Sequence, residues 1–405
     1  MSSTLITNIK QLLMVYPENP GVVKGKAMAE MPMLENAWLL VEHGKIAAYG
    51  NMVTVPADAD GMIDAHGGLV LPAFCDSHTH IVYAASREQE FLMRLQGKTY
   101  TEIAEAGGGI LNSAKQMQTA SEEQLFDDAM ARLEEVGRSG TGAIEIKSGY
   151  GLTFASEMKM LCVIRKLKEH ARQDIKATFL GAHAMPAEYA NDRQGYIRII
   201  TDEMLPHIAQ EGLADYCDVF CEKGYFTHEE TDTILQAAAK YGLKPKIHVN
   251  QFSNSGGVQT GVRNHALSVD HLEYIGEEEI NSLLSSNTLP VALPGCSMFI
   301  NIPFTPGRML IDAGLPLVVA SDYNPGSAPS GNMHLMLSLA CSQMHLTPAE
   351  AIHATTINGA AAMELENSLG TITVGKKAKL IITKPLDNYM LLPYYFGSDL
   401  IARTI

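Results

Sequence analysis

The sequence predicts an α/β fold in which a (β/α)₈ barrel of the TIM type is joined to a small β-sandwich domain built from both chain termini. Two observations predict it. Eight strand-like segments alternate with amphipathic helical segments through the middle of the 405-residue chain, and both ends are rich in β-type residues. We place the sandwich at residues 1–68 and 361–405 and the barrel at residues 69–360. Domain termini commonly lie close together, so both ends of the chain can complete one domain.

The first part of the chain reads as short strands separated by turns. The segments LITNIKQLLMVY, AWLLVEHGKIAAYG and GMIDAHGGLV are rich in strand-forming residues, and glycine marks several of the turns. From about residue 361 the chain has the same character, as in GTITVGKKAKLIITK. We therefore expect these segments to pair in one small domain.

Strands and helices alternate in the middle of the chain. The eight strand candidates are LVLPAFCDSHTHI, GAIEIKSGYG, KATFLGAHA, YCDVFCEKGYF, KPKIHVNQF, ALSVDHLEY, LPVALPGCSMF and PLVVASDYNPG. Amphipathic helical segments lie between most of them, among them EEQLFDDAMARLEEVGRSG, EMKMLCVIRKLKEHAR, HEETDTILQAAAKYG and EEEINSLLSS. Eight such units indicate a closed parallel barrel rather than an open sheet.

Composition and charge narrow the functional classes. Apolar residues make up 46% of the chain, which is enough for a large core, and 45 acidic residues against 30 Lys and Arg give a net charge of -15. We therefore do not expect nucleic acid or an anionic membrane as the main partner, because both need clustered positive charge. A small anionic substrate is compatible with this charge, since one arginine can bind it.

The cysteines and the N-terminus favour a cytoplasmic protein. The six cysteines form no CxxC pair, and the chain is far larger than a disulfide scaffold, so reduced thiols are the simplest interpretation. The N-terminus lacks the pattern of a secretory signal, and no segment approaches the roughly 18 apolar residues of a membrane span. We expect no membrane partner.

Polar residues follow the apolar part of most predicted barrel strands. In such barrels the active site lies at the carboxyl ends of the strands. His78 and His80 end the first strand, and alternate strand residues point to the same side, so both can bind one cation. The polar ends of later strands supply His248, His271 and Asp322. Together the five residues predict a metal site rather than solvated loop histidines.

Asp322 follows the apolar run PLVVAS. A buried carboxylate is costly unless it meets a cation or hydrogen-bond donors, and Pro325 and Gly326 disfavour the alternative that Asp322 caps a helix. A zinc or iron ion lowers the pKa of bound water toward about 7, and Asp322 could both ligate the ion and accept a proton from that water. His271 could ligate as well, or could polarise a substrate oxygen, and the spacing leaves both roles open.

Three further residues are candidates for substrate contacts. Arg87, in the loop after the first strand, could hold a substrate carboxylate through two hydrogen bonds, or could pair on the surface with Glu88 or Glu90. Tyr150 and His183 end the second and third strands, where core packing is the alternative to a site role.

Two other segments carry weaker signals. Tyr100 and the run AGGGI lie in the loop region after the first strand, and the run favours a mobile active-site loop, because no GxGxxG pattern indicates a phosphate site. Glu222 and Lys223 end the fourth strand, where we favour a solvated ion pair over a lysine carbamate between two metal ions.

The motifs resemble those of the amidohydrolase superfamily and, within it, of the imidazolonepropionase family of histidine degradation. The general signature is LPAFCDSHTH followed by distant His, His and Asp. The more specific segments are SREQEF, GKTYTEIAEAGGGI, IEIKSGYG, FLGAHAMP, HVNQFSNSGG, SVDHLEY and SDYNPGSAP, which cover most of residues 69–330.

The resemblance implies a role for each matching residue. The implied reaction is hydrolysis of 4-imidazolone-5-propanoate to N-formimidoyl-L-glutamate. The implied enzyme is a homodimer with one zinc or iron ion per subunit, in which His271 polarises the carbonyl. The implied metal ligands are His78, His80, His248 and Asp322. The implied substrate site, in which Arg87 holds the carboxylate, comprises Arg87, Tyr100, Tyr150, His183, Gln251, Asn324, Gly326 and Ser327.

One residue departs from the pattern of related deaminases, which carry Glu where this chain has Gln251. An amide cannot act as a general base, so we expect the proton to travel through Asp322 and His271. Gln251 and Arg87 also disfavour a second hypothesis, an aminohydrolase of aromatic ring amines. A third hypothesis, a metal-free barrel used for binding, is disfavoured because every expected ligand is present.

Overall fold

The computed structural model describes residues 3–98, 102, 103 and 108–405. Tyr100 and part of the AGGGI run lie outside the described residues. The strands fall into two sheets, one of eight strands and one of seven. Among the described residues, no helix is both long enough and apolar enough to cross a membrane.

The larger sheet is the barrel. Its eight parallel strands hydrogen-bond in chain order, and they are Phe74–Asp76 (β6), Thr141–Lys147 (β7), Asp174–Ala182 (β8), Tyr216–Cys221 (β9), Lys244–Val249 (β10), Ser268–His271 (β11), Leu289–Ala292 (β12) and Val318–Val319 (β13). The N–H of Asp322 donates to the carbonyl of His78, and the N–H of His80 donates to the carbonyl of Tyr323. These bonds join the segments that follow the last and first strands and so close the cylinder.

Helices cover the outside of the barrel and connect its strands. The α-helices of the described ranges are Glu88–Leu95, Ile110–Thr119, Glu122–Arg138, Phe154–His170, Arg193–Arg198, Leu205–Glu211, His228–Ala239, Gly257–Arg263, Glu277–Leu284, Pro294–Ile300, Gly307–Asp312, Met333–Met344, Pro348–Thr355, Ile357–Ala361 and Leu391–Tyr394. A π-helical turn, Ile199–Met204, joins two of them, and 3₁₀ turns lie at Gly25–Ala29, Met52–Thr54 and Ala187–Tyr189.

Local sequence explains where these helices begin and which face they bury. The Ser121 hydroxyl accepts a hydrogen bond from the N–H of Gln124 and so caps the helix Glu122–Arg138. Leu125, Ala129 and Leu133 recur at helical spacing and are buried. The eight predicted strands and the four predicted helices are therefore present, and the predicted fold class of a barrel with a small β domain is confirmed.

The smaller sheet contains strands from both ends of the chain. Its strands are Ser3–Leu13 (β1), Met33–Glu42 (β2), Lys45–Asn51 (β3), Gly61–Asp64 (β4), Gly68–Pro72 (β5), Leu380–Pro385 (β14) and Ile401–Thr404 (β15). On the side away from β2, β1 pairs first with β4 and then with β5. All seven strands are therefore linked by pairing, and the two strands from the C-terminal end join those from the N-terminal end, as predicted.

The pairing of β5 bears on where the small sheet ends and the barrel begins. β5 pairs with both β1 and β14, so a boundary at residue 69 would cut a strand of the small sheet. The N–H of Phe74 donates instead to the carbonyl of Gly140, next to β7 of the barrel. We propose that the barrel begins at residue 73, and the rest of the domain division stays a prediction.

The helix Ile357–Ala361 packs so closely on β6 that it tolerates no side chain at Gly359. A Cβ at Gly359 would lie 2.3 Å from the carbonyl oxygen of Cys75, two residues before Ser77. We expect Gly359→Ala to lower the free energy of unfolding by about 1–3 kcal/mol, measured by urea denaturation, because backbone must move. Gly397→Ala is the matched control, since a Cβ at Gly397 meets nothing within 4 Å. Equal midpoints for the two variants would contradict this packing.

Candidate metal centre

Four of the predicted ligands converge at the carboxyl end of the barrel. Nε2 of His80 lies 3.2 Å from Nε2 of His78 and 3.4 Å from Nε2 of His248. Oδ1 of Asp322 lies 3.5 Å from Nε2 of both His78 and His80. Two ligands about 2.0–2.1 Å from a tetrahedral ion are roughly 3.3 Å apart, so these spacings fit a shared ion. All four residues are at most 3% exposed.

The charge state of these histidines suits a metal ligand. Burial lowers the pKa of His78 and of His80 well below the usual value and lowers the pKa of His248 to about 4. Each ring is then neutral at physiological pH and offers a lone pair. Burial has the opposite effect on the carboxyl of Asp322, whose pKa rises to about 6. Asp322 is therefore ionised at neutral pH and can be neutralised by a cation.

Two buried carboxylates orient the imidazole rings. Nδ1 of His78 lies 2.6 Å from Oδ2 of Asp270, and Nδ1 of His248 lies 3.0 Å from Asp218. A carboxylate beside Nδ1 favours the tautomer in which Nδ1 carries the hydrogen and Nε2 carries the lone pair. Both lone pairs then point toward the cluster.

His271 lies at the end of β11 beside this cluster. Its ring nitrogen is within 4.8 Å of those of His78 and His248, and also of Asp322 Oδ and Cys296 Sγ. Although burial acts to lower it, the pKa of His271 is raised, chiefly by Glu273, whose Oε1 lies 3.4 Å from Nδ1. The position is compatible with either role that the sequence leaves open.

A cavity of about 720 Å³ opens from the cluster. All the predicted site residues line this cavity except His78, which belongs to the cluster but is fully buried, and Tyr100, which lies outside the described residues. The predicted residues that line the cavity are His80, Arg87, Tyr150, His183, His248, Gln251, His271, Asp322, Asn324, Gly326 and Ser327.

Arg87 lies in the wall of this cavity with its side chain only 9% exposed, rather than on the surface. Its Nε donates to Glu90 Oε2 at 2.9 Å, while Oε1 of Glu90 accepts from the N–H of Gly109 at 2.9 Å. The guanidinium also packs on Gly326, where a Cβ would lie 2.1 Å from Nη1. The expected pairing with Glu90 therefore exists, but inside the cavity wall, and Glu90 holds Arg87 in place.

Other predicted residues shape the cavity. Oδ1 of Asn324 accepts from the N–H groups of Gly326 and Ser327 at 2.8 Å, and its Nδ2 donates to the Asp322 carbonyl at 2.7 Å. His183 donates from Nδ1 to the Gly149 carbonyl at 2.9 Å, and burial lowers its pKa to about 3. Asn324 therefore fixes the loop after Asp322, and His183 presents a neutral ring to the cavity.

Sequence reasoning missed several residues of the site. Asp218 and Asp270 are charged residues inside otherwise apolar strands, which is a signal that could have identified them. The expected solvated pair is wrong for Glu222, which is buried and accepts from the N–H groups of Lys223 and Phe252 at 2.9 and 3.1 Å. Glu222 thus holds the loop that follows β10 and carries Gln251.

Comparison with known proteins decides the family. The model of the amidohydrolase family matches residues 69–400. The chain belongs to the amidohydrolase family. An imidazolonepropionase of Flavobacterium johnsoniae is 57% identical over 403 residues, with 99% of this chain and 98% of the relative covered. One of Christiangramia forsetii is 56% identical, with 98% and 96% covered.

These relatives confirm the resemblance found in the motifs, and this amidohydrolase-family chain is a hydrolase. Solved structures support the fold independently. A triazine hydrolase variant superposes with a TM-score of 0.74 at 16% identity, covering 100% of this chain and 93% of that one. An adenosine deaminase from Xanthomonas campestris, described with bound zinc, gives a TM-score of 0.70 at 15% identity, covering 100% and 91%.

We expect added zinc to stabilise the protein. An ion that binds only the folded state adds about 2.7 kcal/mol at a concentration of roughly 100 times Kd. Thermal unfolding of chelator-treated protein should therefore shift upward by several degrees on zinc addition. His248→Ala should lose the shift, and His170→Ala, at the exposed C-terminal end of the helix Phe154–His170, should keep it. A shift that persists in His248→Ala would place the ion elsewhere.

We expect zinc affinity to fall in acid because ligands must lose protons to bind. The pKa of Asp322 is about 6 and that of His248 is about 4. Above pH 6 both groups are largely deprotonated, so no proton competes with the ion. Below pH 6 the ion must displace a proton from Asp322. The apparent affinity should then fall about tenfold per pH unit from pH 6 toward pH 4, and more steeply below. Competition titrations across this range measure the slope, and a constant affinity down to pH 5 would refute it.

Proposed function

We propose that this hydrolase cleaves the cyclic amide C–N bond of 4-imidazolone-5-propanoate, giving N-formimidoyl-L-glutamate in histidine degradation. The observation that carries the proposal is that one cavity opens on the His–Asp cluster and is also lined by the largely buried side chain of Arg87. The cluster suits attack on a ring carbonyl, and the guanidinium suits a substrate carboxylate. Imidazolonepropionases at up to 57% identity over nearly the whole chain support this choice of substrate.

We assign one zinc or iron ion to His78, His80, His248 and Asp322. Imidazole nitrogens with one carboxylate oxygen suit both metals. Such an ion, when bound, polarises a carbonyl and lowers the pKa of coordinated water. The protein's own side chains transfer the proton, donate to the oxyanion and bind the substrate carboxylate.

Asp322 is the proposed base. With a pKa of about 6 it is a carboxylate at neutral pH and can accept a proton. The water oxygen bonds to the ring carbonyl carbon as Asp322 takes the water proton. The C–N bond then breaks, and the proton passes to the departing ring nitrogen, so that atoms and charge balance. Gln251 cannot take this role, and its amide donates to the sulfur of Cys296 at 3.3 Å.

His271 is the proposed donor to the developing oxyanion. Its raised pKa favours the imidazolium form, in which Nδ1 donates toward Glu273 and Nε2 is left to donate to the substrate. The negative charge of Glu273 also offsets the effect of a nearby metal cation on this ring. We therefore favour the polarising role over metal ligation.

Arg87 is the proposed clamp for the propanoate, within a site shared with Tyr150, His183, Gln251, Asn324, Gly326 and Ser327. Glu90 fixes the guanidinium, so the substrate meets a donor that is already oriented. Tyr100 belongs to the same proposal on the basis of its motif. We also propose a homodimer in the cytoplasm with no partner beyond the carboxylate substrate, and the free thiols of all six cysteines suit a reducing compartment.

The test is direct turnover. Chelator-stripped protein is reconstituted with zinc or iron and given 4-imidazolone-5-propanoate, and loss of its ultraviolet absorbance is followed with mass detection of N-formimidoylglutamate. We expect turnover that depends on the metal. No turnover with either metal in folded protein would reject the proposal and favour a ring aminohydrolase, for which ammonia release from a panel of ring amines is the readout.

Removing the clamp should raise KM. We expect Arg87→Ala to raise KM about 10–100-fold with little change in kcat, because an ionic hydrogen bond to the substrate is lost. This change leaves the Glu90 carboxylate without the guanidinium of Arg87. The double variant Arg87→Ala/Glu90→Gln, which removes that charge as well, should show the same KM as Arg87→Ala. Arg165→Ala, on an outer helix, is the control for a lost positive charge. A fall in kcat at unchanged KM would reject the clamp.

A further inference from the structure

Beneath the candidate metal centre the barrel encloses five charged side chains that the proposed reaction does not use. The five side chains, all fully buried, are those of Glu145, Lys147, Asp218, Lys246 and Asp270. Charges buried this completely are costly unless they are paired and hydrogen-bonded. Their arrangement therefore needs an explanation beyond packing.

Lys147 lies at the centre of this group. Its Nζ is 2.5 Å from Glu145, 2.8 Å from Oδ2 of Asp218 and 3.9 Å from Oδ2 of Asp270. Asp218 and Asp270 are the two carboxylates that accept from Nδ1 of His248 and His78. One ammonium thus contacts the orienting partners of two candidate ligands that stand on different strands.

We propose that Lys147 is a positioning residue for the metal centre. Its ammonium holds Asp218 and Asp270 side by side against their mutual repulsion, and the two carboxylates in turn aim Nε2 of His248 and His78 at one point. The inference rests on the metal centre of the proposed function. Without the ammonium, the two buried carboxylates would repel each other in a low dielectric. The rings of His78 and His248 would then no longer point their Nε2 atoms at the same position.

The neighbouring Lys246 separates this role from a general need for positive charge. It is as buried as Lys147 and also pairs with Glu145. Its other hydrogen bonds go to the carbonyls of Ser77 and Ala362, at 3.0 and 3.3 Å. Its charge also acts to lower the pKa of Asp270, but neither Asp218 nor Asp270 is among its hydrogen-bond partners. Loss of Lys246 should therefore cost stability while leaving both rings oriented.

The experiment compares Lys147→Met with Lys246→Met in the full chain. Zinc affinity is measured by competition with a chromophoric chelator, and ligand geometry by the visible absorption of the cobalt(II)-loaded protein. We expect Lys147→Met to lose about 10–100-fold in zinc affinity and to change the cobalt spectrum, as removal of a ligand's supporting partner does. Lys246→Met should lower the thermal midpoint but keep the wild-type spectrum and affinity within about threefold.

Two results would overturn the role of Lys147: wild-type affinity and spectrum in folded Lys147→Met, or an equal loss in Lys246→Met. Circular dichroism of the metal-free proteins establishes folding. If Lys147→Met does not fold, Lys147→Gln, which keeps a polar side chain, replaces it, with the same zinc-affinity and cobalt-spectrum measurements. Failure of the wild-type protein to bind either metal would instead reject the metal centre of the proposed function, and this inference with it.

Discussion

Carboxylates that are fully buried inside the barrel are costly unless each meets a cation or hydrogen-bond donors. This requirement determines which segments pack together at the ends of the barrel strands. Asp76 at the end of β6 is fully buried, and it accepts from the N–H and the hydroxyl of Ser321 at 2.9 and 2.5 Å. That pairing ties the first barrel strand to the segment after the last one. Because His78 lies two residues after Asp76 and Asp322 directly follows Ser321, the contact that closes the barrel also brings two of the candidate ligands together.

The site also depends on unusual backbone at two of its residues. His271 and Asp322 have φ of 90° and 56°, a region that side chains other than glycine rarely adopt. Hydrogen bonds hold both turns: the Thr305 hydroxyl donates to the His271 carbonyl at 2.6 Å, and Asn324 Nδ2 donates to that of Asp322 at 2.7 Å. The two residues assigned to proton transfer and carbonyl polarisation thus sit on strained backbone that its surroundings fix, which suits a rigid site.

The sequence predicts the barrel and the converging ligands because both follow from local pattern. His78 and His80 share a face through strand alternation, and later strands end in His248 and Asp322 at the same rim. The charges of Asp218 and Asp270 stand out inside apolar strands, but which histidine each carboxylate supports could not be predicted, since that depends on register. His248 is level with Asp270 of the next strand, and no tight turn fixes the register of parallel strands. The burial of Arg87 likewise depends on contacts with Gly326, distant in sequence.

Charge along the cavity bears on how an anionic substrate would lie in it. Among the described residues that line the cavity, Arg87, Arg94 and Lys98 are positively charged, and Glu90 pairs with Arg87. Near the cluster, the carboxylates of Asp322 and Glu273 would offset part of the positive charge of a bound divalent ion. Under the proposed reaction, the propanoate would therefore bind at Arg87, with its ring facing the cluster. Under the proposed reaction, this asymmetry keeps the substrate carboxylate from occupying the position at which the ring carbonyl must react.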